Sequence, residues 1–236
     1  MSHTGEELNV DQLHALLQEL SAGLQARGLH AQLFVVGGAA MALAYDRQRI
    51  TRDVDALFAP APEVREIAES LAERHGLEPD WLNDGAKGFM PAADERPRTV
   101  FESESLLVQV PSAEYLLAMK LYASRGERDL EDAAKLYNEA GYTKPQEGIE
   151  LLARSYPASM LLAKHRYVVE EVAQRAEVLR RCERVRALRD ASFPRSANWA
   201  VRETPRDKRT FVGRRRPGER SLGRDRDPGQ DRGLGR

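Results

Sequence analysis

A chain of 236 residues with 42% hydrophobic content can bury a substantial core, which favours one domain with appendages. Its single cysteine, Cys182, excludes an intrachain disulfide and a cysteine-based zinc site and fits a reducing compartment. No apolar run approaches membrane-spanning length, and the N-terminus lacks the apolar core of a signal peptide. We therefore expect a cytoplasmic protein that has no membrane partner.

Charge is distributed unevenly along the chain. Residues 195–236 contain 13 Lys and Arg against 6 Asp and Glu, a net charge of +7, which leaves −8 for residues 1–194. This tail has few large apolar residues and cannot form a core. We expect residues 195–236 to be a basic, disordered tail with non-specific affinity for nucleic acid.

The first predicted element is an amphipathic helix. Apolar residues recur at helical spacing from Val10, and the pattern ends near Gly28. Asn9 or Asp11 is suited to cap the start of this helix. Its apolar stripe is best interpreted as core, because a helix of this kind covers one face of a small sheet.

A strand, a tight turn and a helix follow. Residues 33–36 form an apolar run rich in β-branched residues, and Gly37 and Gly38 interrupt it before a segment of helical character. The two glycines would allow the backbone to approach a ligand closely.

Two carboxylates occur in the next predicted strand, where Asp53 and Asp55 flank Val54. Because side chains on a strand alternate between faces, both carboxylates should project from one side. Adjacent carboxylates repel each other, and a divalent cation relieves that repulsion. Mg²⁺ favours one or two carboxylates together with substrate phosphate oxygens, so the pair predicts a magnesium site.

The middle of the chain offers a candidate phosphate-binding lysine. A helix over residues 63–74 is followed by a loop or short helix over residues 83–89, which contains Lys87 among small residues. Its ammonium could approach a triphosphate without crowding, and a solvated loop lysine is the equally supported alternative.

Residues 99–101 and 106–110 then predict a hairpin across the polar turn 102–105.

Lys120 is the second candidate cation. It lies within a predicted helix over residues 113–125 that Ser112 caps. A lysine among leucines either extends to solvent or is held inward by carboxylates, here Asp129 or Asp132. The alternative for both acids is ordinary salt bridging on a charged helix face. Because Met keeps the packing of the lysine stem, Lys120→Met is expected to leave stability unchanged or raise it.

The C-terminal part of the folded body is predicted to be helical. One helix spans residues 145–155, and a longer one spans residues 161–190. The arginines of the long helix could contact an RNA backbone. A solvated face is the better interpretation, because glutamates are interleaved with them.

Four segments in order resemble a known family: GGAAMALAY, RxTRDVDALF, WLNDGAKGF and YLLAMKLYASRxxRDLEDA, within residues 33–142. They resemble the nucleotidyltransferase fold of the polymerase-β type, and in particular bacterial domains related to the AbiEii and MenT toxins. The resemblance implies an α/β fold, a small mixed sheet flanked by helices, over residues 1–142. Residues 143–194 would then form a helical C-terminal part.

The resemblance also implies a function, which is Mg²⁺-dependent transfer of a nucleotide from an NTP to an acceptor hydroxyl. The acceptor would be a tRNA end, a protein or a small molecule, and a cognate antitoxin or partner protein is implied as well. The implied catalytic residues are Asp53, Asp55, Lys120 and Asp129, with Asp53 and Asp55 as the metal ligands. The implied nucleotide-binding residues are Gly37, Gly38, Thr51, Arg52 and Lys87.

One departure from the wider fold concerns a third carboxylate. Polymerase-β-type enzymes usually carry one on a later strand, whereas residues 106–110 read LLVQV, and Glu102 and Glu104 fall in the predicted turn. A two-metal site with three strand carboxylates is therefore not indicated. The departure supports an alternative, a non-catalytic nucleotide-binding module or partner protein that retains the fold. A third hypothesis is an antibiotic-modifying type of nucleotidyltransferase, whose substrate-binding helices would follow Gly141.

Overall fold

The fold is that of a computed structural model, which describes residues 7–124 and 126–192. The predicted basic tail, residues 195–236, lies outside the described residues. In chain order the elements are α1 Val10–Ala26, β1 Ala31–Val35, α2 Gly37–Ala40, β2 Val54–Ala59, α3 Ala61–His75, β3 Leu82–Asn83, β4 Arg98–Glu102, β5 Leu106–Val110, α4 Ala113–Ala123, α5 Glu127–Glu139, α6 Pro145–Ser155 and α7 Ala163–Ser192. A π-helical segment, Met41–Tyr45, continues α2, and short 3-10 helices form at Gly85–Phe89 and Ala158–Met160.

The five strands form one mixed sheet in the order β3-β2-β1-β5-β4. The central strand β1 pairs antiparallel with β2 and parallel with β5. Strand β3 runs parallel to β2, and β4 runs antiparallel to β5. The predicted α/β fold with a small mixed sheet flanked by helices is thus confirmed. The predicted hairpin is present too, although Glu102 belongs to β4 and pairs with Leu107 rather than lying in the turn.

Helices cover both faces of the sheet. The helices α1 and α3 pack against each other, with α1 contacting β5 and α3 contacting β2. The apolar residues Leu33, Val35 and Val108 are buried and share one face of the sheet. Phe34 faces the opposite side, where its ring meets that of Tyr115 in α4 edge to face at 5.8 Å. Leu57 of β2 pairs with Phe34, so both side chains lie on the face that α4 covers. Asp55 is two residues before Leu57 on the same strand, and its side chain therefore projects onto this face as well.

Local signals account for most helix ends. The Asn9 side chain accepts hydrogen bonds from the backbone N–H groups of Asp11 and Gln12, completing a capping box, so Asn9 and not Asp11 caps α1. Ser112 caps α4 by accepting from the Tyr115 N–H at 3.3 Å. Gly76 ends α3 in the left-handed region, with φ of 67°.

The last two helices extend the same core. Helix α6 packs on α4, and α7 packs on α5 through its first half, where Val169, Val172 and Ala176 are buried. In the second half of α7, Leu179 is half-buried against the core, whereas Val178, Val185 and Leu188 are exposed, and Cys182 is exposed as well. Arginines of α7 pair with glutamates four residues away, as Arg181 does with Glu177, in keeping with a solvated face.

Two predictions concern the chain as a whole, one on membrane-spanning segments and one on a domain division. Among the described residues, none of the helices combines the length and the apolarity needed to cross a membrane. Hydrophobic residues before and after the predicted domain boundary at residues 142 and 143 belong to one core cluster. The boundary itself stays a prediction.

Candidate active site

A cavity of about 450 Å³ lies on the face of the sheet that α4 covers. Its walls come from the turn after β1, the segment before β2, β2 itself, the 3-10 helix after β3, and helices α4 and α5. The lining residues are Gly37, Gly38, Arg49, Thr51, Asp53, Asp55, Gly85, Ala86, Phe89, Leu116, Met119, Lys120, Ala123 and Asp129. The structure thus brings together every site residue predicted from the sequence except Arg52 and Lys87.

Gly37 is required at the turn for two reasons. Its φ of 64° lies in the left-handed region, which residues with a Cβ rarely adopt. The neighbouring Val36 N–H donates to the Asp55 carbonyl oxygen at 2.8 Å, which brings β2 alongside the turn. A Cβ on Gly37 would lie 3.1 Å from Asp55 Oδ2, so the glycine leaves room for this carboxylate.

Gly38 leaves room for the segment that precedes β2. A Cβ on Gly38 would lie 2.6 Å from Thr51 Oγ1, a distance too short for non-bonded atoms. Thr51 is buried, and its hydroxyl donates to the Asp53 carbonyl oxygen at 3.2 Å. Its backbone exchanges two hydrogen bonds with Leu8. Thr51 therefore fixes the chain directly before Asp53, and a contact between Thr51 and a nucleotide stays a prediction.

The two aspartates offer an oxygen donor set of the kind that Mg²⁺ prefers. Asp53 precedes β2 and Asp55 lies within it, and both line the cavity while Val54 between them is buried on the other side. Among the described residues, no group of three or more His, Cys, Asp or Glu is arranged to hold a metal ion. The pair therefore fits an ion that takes its other ligands from water and substrate phosphate, and does not fit a metal enclosed by protein ligands.

Lys120 is held inward by two carboxylates of α5. Its Nζ lies 2.7 Å from Asp129 Oδ1 and 2.9 Å from Asp132 Oδ2. The lysine side chain is 10% exposed and that of Asp132 is 3% exposed, whereas Asp129 is 29% exposed and borders the cavity. Of the two alternatives for this lysine, the inward position is the one observed. The same contacts hold α4 against α5.

Arg49 is a cavity residue that sequence reasoning missed. Its Nε lies 3.2 Å from Asp132 Oδ1, and its Nη1 donates to the Ile50 carbonyl oxygen. Asp132 therefore binds both cations that line the described cavity, Arg49 and Lys120. Arg49, Thr51, Asp53 and Asp55 occur at every second position and all line the cavity. The period of two that places the aspartates on one face extends back to Arg49, and it is the signal in the sequence that identifies this residue.

Arg52 and Lys87 lie outside the cavity lining. The Arg52 side chain is 63% exposed, with its Nε 3.7 Å from Glu7 Oε1. Lys87 is 58% exposed and donates to Asp84. This hydrogen bond holds the pKa of the Asp84 carboxyl below its usual value. The nucleotide-binding roles of Arg52 and Lys87 stay predictions.

The two later strands contribute no carboxylate to the site. Gln109 of β5 lies opposite Phe34 of β1, and no described residue of β4 or β5 lines the cavity. The lining carboxylates are Asp53, Asp55 and Asp129, and they outnumber the two lining cations. The described lining of the cavity thus has a net negative formal charge.

Of the comparisons with known proteins, the match to a family model is the informative one. A comparison with curated proteins finds no match. Among solved structures, an antigenic nucleotidyltransferase-like protein from Paracoccidioides brasiliensis is 15% identical, and the alignment covers 72% of this chain and 95% of that chain with a TM-score of 0.33. Similarity at this level carries no argument. A family model described as a nucleotidyltransferase of unknown function, DUF6036, matches residues 11–140, a range that includes every residue lining the cavity. The match spans more than half of the chain, which therefore belongs to this nucleotidyltransferase family.

Proposed function

We propose that this protein transfers a nucleotide from an NTP to an acceptor hydroxyl with the help of Mg²⁺. The observation that carries the proposal is the convergence of Asp53, Asp55 and the Gly37–Gly38 turn on one side of a cavity that also contains Lys120. A bound metal triphosphate requires carboxylates for the metal, a backbone turn that the phosphates can approach closely, and a buried cation.

In the proposed reaction the oxygen of the acceptor hydroxyl attacks the α-phosphorus and releases its proton to solvent, and the bond from the α-phosphorus to the bridging oxygen breaks to release pyrophosphate. Asp53 and Asp55 would hold Mg²⁺, which neutralises phosphate charge when bound. Lys120, kept in place by Asp129 and Asp132, stabilises the negative charge that develops on the transferred phosphate. The remaining task of the cavity is to position the reactants.

The test is incubation of the purified protein with each α-labelled NTP and Mg²⁺, in the presence of total tRNA or lysate protein. We expect label in one acceptor pool, and its loss on chelation of Mg²⁺. The variants Asp53→Asn and Asp55→Asn should fold and should each lose Mg²⁺-dependent NTP binding. Unchanged NTP affinity in both variants would remove the two aspartates from the site.

A second candidate is a non-catalytic nucleotide-binding module. The observation that favours it is the lack of a carboxylate from the described strands β4 and β5 in the cavity lining. Such a module would bind Mg²⁺ and NTP, would lose binding in the aspartate variants, and would transfer label to no acceptor. NTP binding without transfer of label to any acceptor pool, including small-molecule extracts, would therefore support the non-catalytic module over the enzyme.

The resemblance to AbiEii and MenT domains adds a narrower proposal, a toxin that acts with a cognate antitoxin. It predicts that expression of the protein slows growth of its host cells. The Asp53→Asn variant should not slow growth at equal expression. Equal growth inhibition by both proteins would contradict a toxic activity based on this site.

A further inference from the structure

We propose that Arg49 is the residue that binds the triphosphate of the substrate in this cavity. The inference rests on the proposed function and goes beyond it, because it assigns phosphate recognition to a residue other than Arg52, Lys87 or Lys120.

The exposed cations near the cavity are directed elsewhere. Arg52 contacts Glu7 and Lys87 contacts Asp84, and neither lines the cavity. Lys120 lines it, but two carboxylates already surround its ammonium at 2.7 and 2.9 Å. Lys120 keeps one N–H donor, whereas Arg49 is the cation among the described lining residues with two N–H donors left for a further anion.

The hydrogen bonds of Arg49 use only part of its guanidinium. Nε and Nη2 both donate to Asp132, and Nη1 donates to the Ile50 carbonyl oxygen. A guanidinium has five N–H donors in a planar fork. Within the part of the chain that the structure describes, the second N–H of Nη1 and the second N–H of Nη2 have no hydrogen-bond partner. Asp132 therefore holds the guanidinium in place, and two of its N–H donors are left for a ligand.

Arg49 lies close to the turn at which a bound phosphate would approach the backbone. Its Nη2 lies 3.6 Å from the point where a Cβ on Gly38 would be, at the turn that is open to close approach. The adjacent Gly37 borders the Asp55 carboxylate, a proposed metal ligand. A metal-bound phosphate that approaches this turn would meet Arg49. Its side chain is 16% exposed, so the contact is largely shielded from water and from screening by salt.

Calorimetric titration with Mg²⁺ and inorganic tripolyphosphate, and with each Mg²⁺-NTP, tests the inference. Arg49→Gln should weaken the affinity for tripolyphosphate roughly 10- to 150-fold, the range for hydrogen bonds to a charged group. Arg49→Lys should not restore this affinity. A guanidinium can contact Asp132 and a phosphate with different N–H groups at once, and a single ammonium cannot replace it. Arg74→Gln is the matched control, because Arg74 is an exposed arginine of α3 that pairs with Glu19 and does not line the cavity, and it should bind within twofold of the wild type.

The outcomes separate the two proposals. If Arg49→Gln binds tripolyphosphate as tightly as the wild type, or if Arg74→Gln loses as much, Arg49 is not the phosphate-binding residue and the proposed function is unaffected. If the wild type binds neither tripolyphosphate nor any NTP, both proposals fail. Should the Arg49 variants not fold, the Arg49 Nε–H resonance of the wild type decides: it should shift on addition of Mg²⁺-tripolyphosphate, and an unmoved resonance overturns the inference.

Discussion

Replacement of Lys120 by Met tests the buried ion cluster beside the cavity. Lys120 Nζ contacts Asp129 and Asp132, and the Asp132 side chain is only 3% exposed. The sequence alone predicted that stability would hold or rise, because Met preserves the apolar packing of the lysine stem. The structure argues for the opposite sign, since the substitution leaves a buried carboxylate with one partner fewer.

The size of the effect follows from the contacts that are left. Removal of one member of a buried ion pair costs about 3–5 kcal/mol. Asp132 keeps Arg49 at 3.2 Å, so we expect the lower end of this range, about 3 kcal/mol. That is a large part of the roughly 5–15 kcal/mol by which a domain is stable. Asp132→Asn should cost less in the Lys120→Met background than in the wild type, with a coupling energy of about 1–3 kcal/mol.

The assay is urea unfolding followed by far-UV circular dichroism for the wild type, the two single variants and the double variant. Lys87→Met is the control, because its partner Asp84 lies in an exposed pair, and its unfolding midpoint should match that of the wild type. A Lys120→Met variant as stable as the wild type would refute the reasoning. Strict additivity of the two substitutions would show that the observed contact carries no coupling.

Three further predictions concern packing and pH. Gly38→Ala should weaken Mg²⁺-NTP binding roughly tenfold or more, because the new Cβ would lie 2.6 Å from Thr51 Oγ1, whereas Gly88→Ala, with open space around it, should bind normally. Leu8→Ala should lower the free energy of unfolding by about 2–5 kcal/mol, and an unchanged urea midpoint would contradict its role as a buried contact. Burial lowers the pKa of His165, so the unfolded state binds more protons. Stability should therefore decline as pH falls below about 6.5, and a pH series of unfolding midpoints should be flatter for His165→Gln.

Local sequence patterns were sufficient for most of the secondary structure. The start of α1 was predicted because the Asn9 side chain competes for backbone donors within three residues. The hairpin of β4 and β5 followed from two apolar runs around a polar turn. Strand β3 was missed because a strand of two residues has no periodicity, and it exists only through its pairing with β2. The π-helical segment after α2 likewise has no signal in its Ala- and Leu-rich sequence.

For the site, the sequence by itself determined the placement of the two aspartates and the turn. Alternation along a strand is a covalent consequence of backbone geometry, so Asp53 and Asp55 had to face one side together. The left-handed backbone of Gly37 is similarly local. These features put a carboxylate pair beside a close-approach turn before any tertiary contact is considered.

Only the tertiary structure decided which cations face that pair. Arg49, Arg52, Lys87 and Lys120 are long, flexible side chains, and nothing in their immediate sequence settles which way each one points. Arg49 and Lys120 turn inward because Asp132, which is 83 residues from Arg49 and on the next helix after that of Lys120, becomes buried between them when α5 packs against α4. A buried carboxylate is costly unless it is paired, so its burial draws in the two cations within reach. The partners of Arg52 and Lys87 are the half-buried Glu7 and Asp84, and no fully buried carboxylate brings these two cations into the cavity.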